Sequence, residues 1–472
     1  MRIHESTPTT TVLLVFTALS LSGCSALRQM GLGFESLFLR TEADYDALEA
    51  DRSGGGVLIP LEGNDSPSRW TAFRGSARDG RCTGQALRLD WSDSAPEVRW
   101  RQPIGGGYSS FVIAHSRVFT QEQRRENEAI TAYDFLTGKQ IWIHEYHAMF
   151  SEAMAGEGPR ATPTYHEGKL YALGATGEFR CLDAMTGKVH WRRNLLEDTG
   201  GENLDFGLSA SPLVVGNKVV ALTGTAVVAC DLDTGTIVWK SLPEMQSYAS
   251  PVLVTLAGKK QILTCTASRV VGLETSTGEL LWEYPWEIFQ GLTISQPIVL
   301  DDRRVVVSGS YGEGAAMFEI IKNDAGFEVQ EKWQSSKLRN KYNSSVVHDG
   351  FIYGLDEGIL VCLDPETGKR PWKAGRYGYG QVLINGDVLV VLGGKGTVTF
   401  VRARPDEHEE LGSFEAFEGN TWSPPALVDG RLFLRNAAEM ACFDLRVNPD
   451  DSNQVQVIPA PDEPGAPLTD SQ

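Results

Sequence analysis

Residues 183–191 read Asp-Ala-Met-Thr-Gly-Lys-Val-His-Trp, and the pattern Asp-x-x-Thr-Gly-x-x-x-Trp recurs along the chain. Its other copies are at residues 134–142, 231–239, 364–372 and, with Glu in the first position, 274–282. Together with Trp100 and Trp333, these copies place seven tryptophans about 45 residues apart on average. A length of 472 residues alone suggests roughly three domains, but this period indicates one repeat protein.

Each repeat unit has the same order of strand and turn signals. A step such as Ser211-Pro212 opens an alternating apolar run, and a second apolar run follows at Lys218 to Ala221 after a glycine turn. The third strand ends at the Asp, the Thr-Gly pair makes a tight turn, and the fourth strand carries the Trp. Four short antiparallel strands in about 45 residues are typical of a β-propeller blade. Eight first strands are predicted to begin near Ser109, Thr162, Ser211, Ser250, Ser295, Ser344, Gln381 and Ser423.

The two ends of the repeat array complement each other. The last unit stops at Cys442-Phe443-Asp444 without a fourth strand, whereas Val98-Arg99-Trp100-Arg101 lies before any first strand. Pairing the N-terminal strand with the last blade would close the ring and remove its exposed edges. The sequence therefore predicts an all-β fold, an eight-bladed β-propeller of four-stranded antiparallel blades over residues 97–447.

The repeated residues have predicted structural roles. The Asp satisfies amides of the turn, the Gly supplies a positive φ, and the Trp wedges between neighbouring blades. Two units diverge, since the seventh has no Trp and the fifth has an insertion around residues 323–327. The predicted structural motif residues are Trp100, Asp134, Gly138, Trp142, Asp183, Gly187, Trp191, Asp231, Gly235, Trp239, Gly278, Trp282, Asp364, Gly368 and Trp372.

A small side chain stands two positions before the acidic residue in six of the units. These residues are Ala132, Cys181, Ala229, Gly272, Cys362 and Cys442. A size limit that recurs across blades indicates tight packing, so we expect these cysteines to be buried thiols rather than disulfide partners. The sequence has neither a Cys-x-x-Cys pair nor a metal-ligand cluster.

The N-terminus has the pattern of an export signal. An uncharged apolar run of about ten residues, Val12 to Leu21, is too short to span a bilayer and suits a signal-peptide core. It ends in Leu21-Ser22-Gly23-Cys24, which resembles the cleavage and lipidation site of a bacterial lipoprotein. Cys24 is the predicted lipidation site, and an ordinary secretory signal with a chance Cys is the alternative. Ser25 follows instead of the Asp that retains lipoproteins in the inner membrane, so we expect an outer-membrane anchor facing the periplasm.

The repeat resembles that of the pyrroloquinoline-quinone (PQQ) type of propeller, over the whole of residues 97–447. The segment Trp70-x-x-Phe73-Arg74-Gly75, with Arg78-Asp79-Gly80, is similar to a leader found in many secreted members of that superfamily. Within it, an eight-bladed lipoprotein of this size is most similar to the BamB-like outer-membrane assembly scaffolds. The resemblance implies a non-catalytic scaffold with envelope proteins as partners, acting as a monomer or within a hetero-complex.

An enzyme of the same superfamily is the alternative. PQQ-dependent alcohol dehydrogenases resemble this chain in their blades, but they carry two adjacent cysteines and a calcium held by Glu and Asn. This sequence has no Cys-Cys pair and no segment that matches the calcium site. We therefore assign no catalytic, cofactor-binding or metal residue and expect no cofactor, with PQQ and calcium kept as the alternative. A site for a glycan or another small ligand also stays open.

The net charge limits the class of partner. A formal net charge of −18 argues against nucleic acid, because phosphate contacts need a basic patch.

The links between blades form one rim of the central channel, and they are rich in aromatic, Arg and Asn side chains suited to recognition. The candidate rim residues are Tyr108, Arg160, Phe206, Tyr248, Tyr342, Asn343, Arg376, Tyr379 and Trp422.

The remaining segments complete the predicted organisation. Residues 1–23 are the lipoprotein signal peptide, 24–68 a lipid-anchored tether that is Gly/Asp/Ser-rich from Ser53 onward, and 69–96 the leader. Residues 448–472 are rich in Pro and Asp with little apolar content, which predicts a disordered tail.

Overall fold

The computed structural model describes residues 41–53, 70–82, 84, 86–91 and 94–447. The signal peptide, Cys24, most of the predicted tether and the tail 448–472 lie outside the described residues. Within the described part, no helix has the length and apolar content needed to cross a membrane.

Eight blades of four antiparallel strands lie within residues 97–447, as predicted, and one of them carries a fifth, parallel strand. Strand β1 is Arg81–Cys82 and β2 is Glu97–Pro103. Blade 1 contains β3 to β6, blade 2 β9 to β12, blade 3 β13 to β16 and blade 4 β17 to β20. The strands of blade 1 are Val112–Ala114, Arg117–Arg124, Asn127–Asp134 and Gln140–His147, and those of blade 2 are Thr164–His166, Lys169–Leu173, Glu178–Asp183 and Val189–Asn194. The strands of blade 3 are Leu213–Val215, Lys218–Leu222, Val227–Asp231 and Ile237–Ser241, and those of blade 4 are Val252–Leu256, Lys259–Cys265, Arg269–Glu274 and Leu280–Pro285.

Blade 5 contains β21 to β24, blade 6 β25 to β28, blade 7 β29 to β32 and blade 8 β33 to β35. The strands of blade 5 are Ile298–Val299, Arg304–Gly309, Gly314–Asn323 and Gly326–Ser335, and those of blade 6 are Val346–His348, Phe351–Asp356, Ile359–Asp364 and Lys369–Arg376. The strands of blade 7 are Gln381–Asn385, Val388–Leu392, Thr397–Arg402 and Glu410–Glu415, and those of blade 8 are Ala426–Val428, Arg431–Arg435 and Glu439–Asp444. Strand β2 pairs with β35 and completes blade 8, so the predicted closure is confirmed.

A few short elements lie outside the blades. Strands β7 and β8, Ser151–Glu152 and Gly156–Glu157, form a hairpin in the link between blades 1 and 2. Helix α1 covers Tyr45–Ser53 and helix α2 covers Leu195–Thr199. A 3₁₀ turn covers Phe289–Gly291.

In six of the eight blades a small residue lies directly opposite the tryptophan of the fourth strand, whereas Trp333 in blade 5 lies opposite Met317. Cys181 pairs with Trp191 and Cys442 with Trp100, and a register shift follows each pair. The corresponding pairs in four other blades are Ala132–Trp142, Ala229–Trp239, Gly272–Trp282 and Cys362–Trp372. A larger side chain would take the space of the indole, which explains the size limit. The cysteines at these positions are buried free thiols.

The turn that repeats in the blades is built around its Asp and its Gly. In blade 2, Asp183 Oδ1 accepts hydrogen bonds from the backbone N of Met185 (3.1 Å) and of Thr186 (2.8 Å). Gly187 has φ +70°, a conformation that glycine adopts without steric cost. The ring of Trp142, in the preceding blade, lies 2.7 Å from the point where a Cβ on Gly187 would be. The turn therefore leaves room for the neighbouring tryptophan.

Tryptophans join successive blades around the ring. Trp142 Nε1 donates to Ala184 O (3.1 Å) and Trp191 Nε1 donates to Leu232 O (2.9 Å), each in the turn of the next blade. The same bond joins Trp100 to Phe135, Trp333 to Pro365 and Trp372 to Arg404. The predicted wedge is thus a packing contact combined with a hydrogen bond.

A collar of hydroxyl groups joins the first strands around the channel. The backbone N of Ser110 donates to Thr162 Oγ1 (3.1 Å), that of Thr162 to Ser211 Oγ (2.9 Å) and that of Ser211 to Ser250 Oγ (2.9 Å). The Ser/Thr-Pro step therefore supplies a hydroxyl acceptor for the preceding blade, where a proline cannot supply an amide donor.

The strand order defines two faces of the propeller. Because the strands of a blade are antiparallel, the links between blades and the turns between second and third strands share one face, here named the rim face. The turns between first and second strands, and the Asp-x-x-Thr-Gly turns, share the opposite face, here named the turn face. The first strands run from the rim face to the turn face along the channel.

Candidate functional site: the channel mouth

Four aromatic rings from four different links meet at the channel mouth on the rim face. The ring centroids of Tyr108 and Trp422 lie 5.4 Å apart, and those of Trp422 and Tyr342 lie 5.3 Å apart. Tyr379 continues the series at 5.7 Å from Tyr342. These tilted and edge-on contacts are the arrangements that aromatic pairs prefer. We name these four residues the mouth cluster.

Gln381 positions two members of the mouth cluster. Blade 7 opens with this glutamine where the other blades have Ser or Thr near the start of the first strand. The Gln381 side chain is buried, and its Nε2 donates to Tyr342 O (2.9 Å) and to Trp422 O (2.8 Å). One amide therefore joins the link between blades 5 and 6 to the link between blades 7 and 8.

A buried lysine lies among the tyrosines of the mouth. Lys341 Nζ lies 4.3 Å from the ring centroid of Tyr379, 5.3 Å from that of Tyr311 and 5.5 Å from that of Tyr342. These distances are in the range of cation–π contacts. Burial lowers the pKa of Lys341 to about 8, against the opposing charge of Glu357. Lys341 was not among the rim residues predicted from the sequence, although it lies in the same link as Tyr342. Only aromatic, Arg and Asn side chains were considered in that link, so a lysine was passed over.

Glu357 brings an acceptor to the edge of the cluster. Tyr379 Oη donates to Glu357 Oε2 (3.3 Å), and Ser310 Oγ donates to the other carboxylate oxygen. Burial, and then the Glu357 carboxylate, raise the pKa of Tyr379 to about 12. The phenol therefore stays protonated at neutral pH and remains a hydrogen-bond donor.

Arg160 and Tyr108 hold the β7–β8 hairpin against the mouth. Arg160 Nη2 donates to Glu152 Oε1 (2.9 Å), and the guanidinium lies 5.0 Å from the ring centroid of Phe150. Tyr108 Oη donates to Ala155 O (2.8 Å). The hairpin forms part of the wall beside the mouth cluster.

The predicted rim residues divide into three groups. Tyr108, Tyr248 and Asn343 are buried, so they build the rim. Arg160, Phe206, Tyr342, Tyr379 and Trp422 are half-buried, and Arg376 is exposed at the end of β28. Phe206 and Tyr248 form a separate pair 5.7 Å apart.

Helix α1 lies on the rim face beside the mouth. Tyr45 Oη donates to Glu157 in the β7–β8 hairpin, and Leu48 is fully buried. Arg125, in a turn of blade 1, donates to Asp46 Oδ1 (2.6 Å) and to Glu49 Oε1 (2.7 Å). Part of the predicted tether therefore packs on the propeller, a contact that no repeat pattern indicates.

The mouth does not fit a calcium–quinone site. In the described ranges, no group of three or more His, Cys, Asp or Glu side chains is arranged to hold a metal ion. Calcium takes six to eight oxygen ligands, whereas the mouth offers tyrosine rings, Lys341 and the carboxylate of Glu357. We derive no chemistry through a cofactor here.

A family model described as outer membrane protein assembly factor BamB matches residues 126–374. Two curated relatives with that name are similar to the chain. The protein of Burkholderia pseudomallei is 23% identical over 63% of this chain and 74% of its own length, and that of Moranella endobia is 24% identical over 51% of this chain. The chain spans 64% of the Moranella protein, less than two thirds of its length.

Solved structures show the same fold at low sequence identity. BamB from Moraxella catarrhalis aligns with a TM-score of 0.52 and 16% identity, over 77% of this chain and 99% of its own. The quinohemoprotein alcohol dehydrogenase of Comamonas testosteroni aligns with a TM-score of 0.57 and 14% identity, over 85% of this chain and 84% of its own. Because BamB and an alcohol dehydrogenase share the architecture, the fold does not decide the function.

Proposed function

The chain belongs to the family described as outer membrane protein assembly factor BamB, and on that premise we propose that it is a non-catalytic scaffold of the bacterial cell envelope. Its partner is a protein that takes part in outer-membrane protein assembly. In this proposal, a lipid on Cys24 anchors the chain to the outer membrane, with the propeller in the periplasm. The chain acts as a monomer or within a hetero-complex.

The mouth cluster is the observation that supports a binding role. Tyr and Trp are enriched at the energetic centres of protein interfaces, because a large rigid ring buries much area at little entropic cost. Tyr342, Tyr379 and Trp422 are half-buried, so each ring is fixed by its neighbours and keeps an exposed part. Exposed Arg376 on the same face adds the third residue type that is common in such centres.

The proposal is tested by crosslinking in the native envelope. We would change Tyr342, Arg376 and Trp422 together to Ala and compare the proteins crosslinked to the variant and to the wild type. Tyr248 is left unchanged because it is buried, and its loss would disturb the fold. We expect the crosslinked partner to be lost, or its yield to fall at least roughly tenfold, since two or three centre residues each contribute about 1–2 kcal/mol.

A matched variant on the turn face serves as the control. Leu136 and Met185 are 44% and 47% exposed in the turns of blades 1 and 2, so changing both to Ser removes apolar surface away from the mouth. That variant should be crosslinked to the same partner as the wild type, with a similar yield. An unchanged crosslinking pattern in the rim variant, with its thermal unfolding also unchanged, would refute binding at the mouth.

The proposed anchor has a separate test. Cells that express the wild type are labelled with radioactive palmitate, and the protein is isolated and compared with the Cys24→Ser variant. We expect labelled wild-type protein in the outer-membrane fraction and unlabelled, released variant. Equal fractionation of the two proteins would contradict anchoring through Cys24.

A further inference from the structure

The leader crosses the channel at the turn face. Trp70 pairs with Ile113 of blade 1, and β1 adds a parallel strand to the first strand of blade 7. Between these two attachments, Arg74 and Arg78 reach the first strands of other blades. This segment carries two cations into the centre of a chain with a formal charge of −18.

Arg78 is buried and only partly satisfied. It is 5% exposed, its Nη1 donates to Pro212 O (2.7 Å) and its Nη2 donates to Ser211 O (2.9 Å). Its Nε has no acceptor among the residues that the structure describes. An arginine offers five N–H donors, so these bonds leave three of them without a described acceptor.

Arg74 is buried against the beginnings of blades 5 and 6. It is 4% exposed, and it donates to Ser345 O (2.9 Å), Ser344 O (3.3 Å) and Gln296 Oε1 (3.3 Å). All of these acceptors are neutral. Burial lowers the pKa of Arg74 to about 10 and that of Arg78 to about 9, and only Asp79 opposes this for Arg74.

Neither guanidinium has an ion-pair partner among the described residues. By contrast Arg180, which is equally buried, is paired with Glu178 at 2.7 Å. Burying a charge without a partner of opposite sign is costly. The pair therefore provides a site where an added anion would be stabilised.

A groove of about 190 Å³ lies beside the two arginines and opens to solvent. Five leader residues line one side: Arg74, Ala77, Arg78, Asp79 and Arg81. The other lining residues come from the first strands of blades 4, 5 and 6 and are mostly aliphatic: Val252, Leu253, Val254, Ile298, Val299 and Val346. The groove thus combines a cationic side with an apolar side.

We propose that this groove binds a small aliphatic carboxylate, with its carboxylate on Arg74 and Arg78 and its alkyl chain against Val252, Ile298 and Val346. A carboxylate accepts paired N–H donors from guanidinium groups with good geometry. The aliphatic residues favour a short alkyl chain over a second charged group. The site lies on the turn face, so it is independent of the partner proposed for the mouth.

Binding is tested by titrating the full-length protein with sodium butyrate, using sodium chloride to hold the ionic strength constant. Calorimetry should show a saturable event with a Kd on the order of millimolar, as expected for a ligand of few atoms. Inorganic phosphate is the comparison anion. No saturable heat with butyrate, or saturation with phosphate alone, would overturn the assignment.

Two variants test the arginines. Arg74→Gln and Arg78→Gln should each weaken butyrate binding roughly tenfold, because each removes a charge-assisted hydrogen bond. Arg180→Gln, at a buried arginine with a carboxylate partner, is the control and should bind as the wild type does. Unchanged affinity in both folded Gln variants would overturn the proposal.

A measurement on the wild type covers the case in which the Gln variants fail to fold. With the valine and isoleucine methyl groups of the protein labelled, NMR should show contacts from butyrate methyl protons to Val346 or Ile298. Contacts to those methyl groups support the site. Their absence at a saturating butyrate concentration overturns it.

Discussion

The indole of Trp100 covers Gly138 and closes the ring. Trp100 lies on β2 in blade 8, and Gly138 lies in the turn of blade 1. Trp100 Nε1 donates to Phe135 O in that turn (3.1 Å), as Trp142 does to the turn of blade 2. The joint between the first and last blades is therefore built like the joints between consecutive blades.

Replacing Gly138 with Ala should destabilise the closing joint. Gly138 has φ +67°, and an added Cβ would lie 2.5 Å from Trp100 Cδ2. Gly216→Ala is the control, because Gly216 also has a positive φ (+57°) but nothing within 4 Å of an added Cβ. We expect Gly138→Ala to cost about 1–3 kcal/mol more than Gly216→Ala in denaturant unfolding. Equal midpoints for the two variants would contradict the packing described here.

The indole hydrogen bond can be separated from the indole packing. Trp100→Phe removes the bond to Phe135 O, whereas Trp239 Nε1 is buried without an acceptor among the described residues. Both changes remove a similar part of the ring. We therefore expect Trp100→Phe to cost about 1 kcal/mol more than Trp239→Phe in thermal or urea unfolding. A larger loss for Trp239→Phe would show that packing, not the hydrogen bond, dominates the joint.

The periodic features of the fold could be predicted because each blade repeats the same pattern of apolar strands and turn residues. Trp100 was recognisable as part of a fourth strand, although it lies far from its blade in the sequence, since its spacing matches that of the other repeat tryptophans. The pairing of β2 with β35 confirms that prediction. Blade 7 was also found, although it lacks the tryptophan, because its strands keep apolar runs such as Val388–Leu392.

The candidate sites were less predictable because they depend on contacts between residues that do not repeat. Lys341 is a single cation in a link, and only the fold brings it over Tyr379 and Tyr311. Arg78 belongs to a leader that the sequence identified, but its position beside Pro212 follows from the path of the leader across the channel. Periodicity carries no information about either contact.

The buried side chain of Leu48 should be necessary for helix α1 to stay docked on the rim face. It is the fully buried residue of the helix, while Ala47 is exposed on the same helix. Leu48→Ala should raise hydrogen exchange of the amides in residues 45–53, because it removes about 2–3 kcal/mol of apolar burial from a short helix. Ala47→Ser is the control and should leave exchange nearly unchanged. Protection that persists in Leu48→Ala would mean that the polar contacts of Tyr45 and Arg125 are sufficient for docking.

Glu128 is a buried carboxylic acid at the joint between blades 1 and 2. Its Oε1 accepts from the backbone N of Ala175 (2.9 Å) and its Oε2 accepts from Tyr146 Oη (2.9 Å). Burial raises the pKa of Glu128 to about 7, with the hydrogen bonds and the nearby Arg180 acting in the opposite direction. The folded protein therefore holds a proton on this group over a pH range in which the unfolded chain has released it.

Stability should accordingly fall as pH rises from about 4.5 to about 7, because the folded state binds more protons there than the unfolded state does. Glu128→Gln removes this dependence, so its stability relative to the wild type should increase over that range, by about 3 kcal/mol. Thermal unfolding of both proteins between pH 4 and pH 8 measures the difference. Glu126→Gln, at an exposed position in the neighbouring turn, is the control and should show no such trend. A difference between Glu128→Gln and the wild type that stays constant from pH 4 to pH 8 would show that the pKa of Glu128 is the same in the folded protein and in the unfolded chain, and it would overturn this prediction.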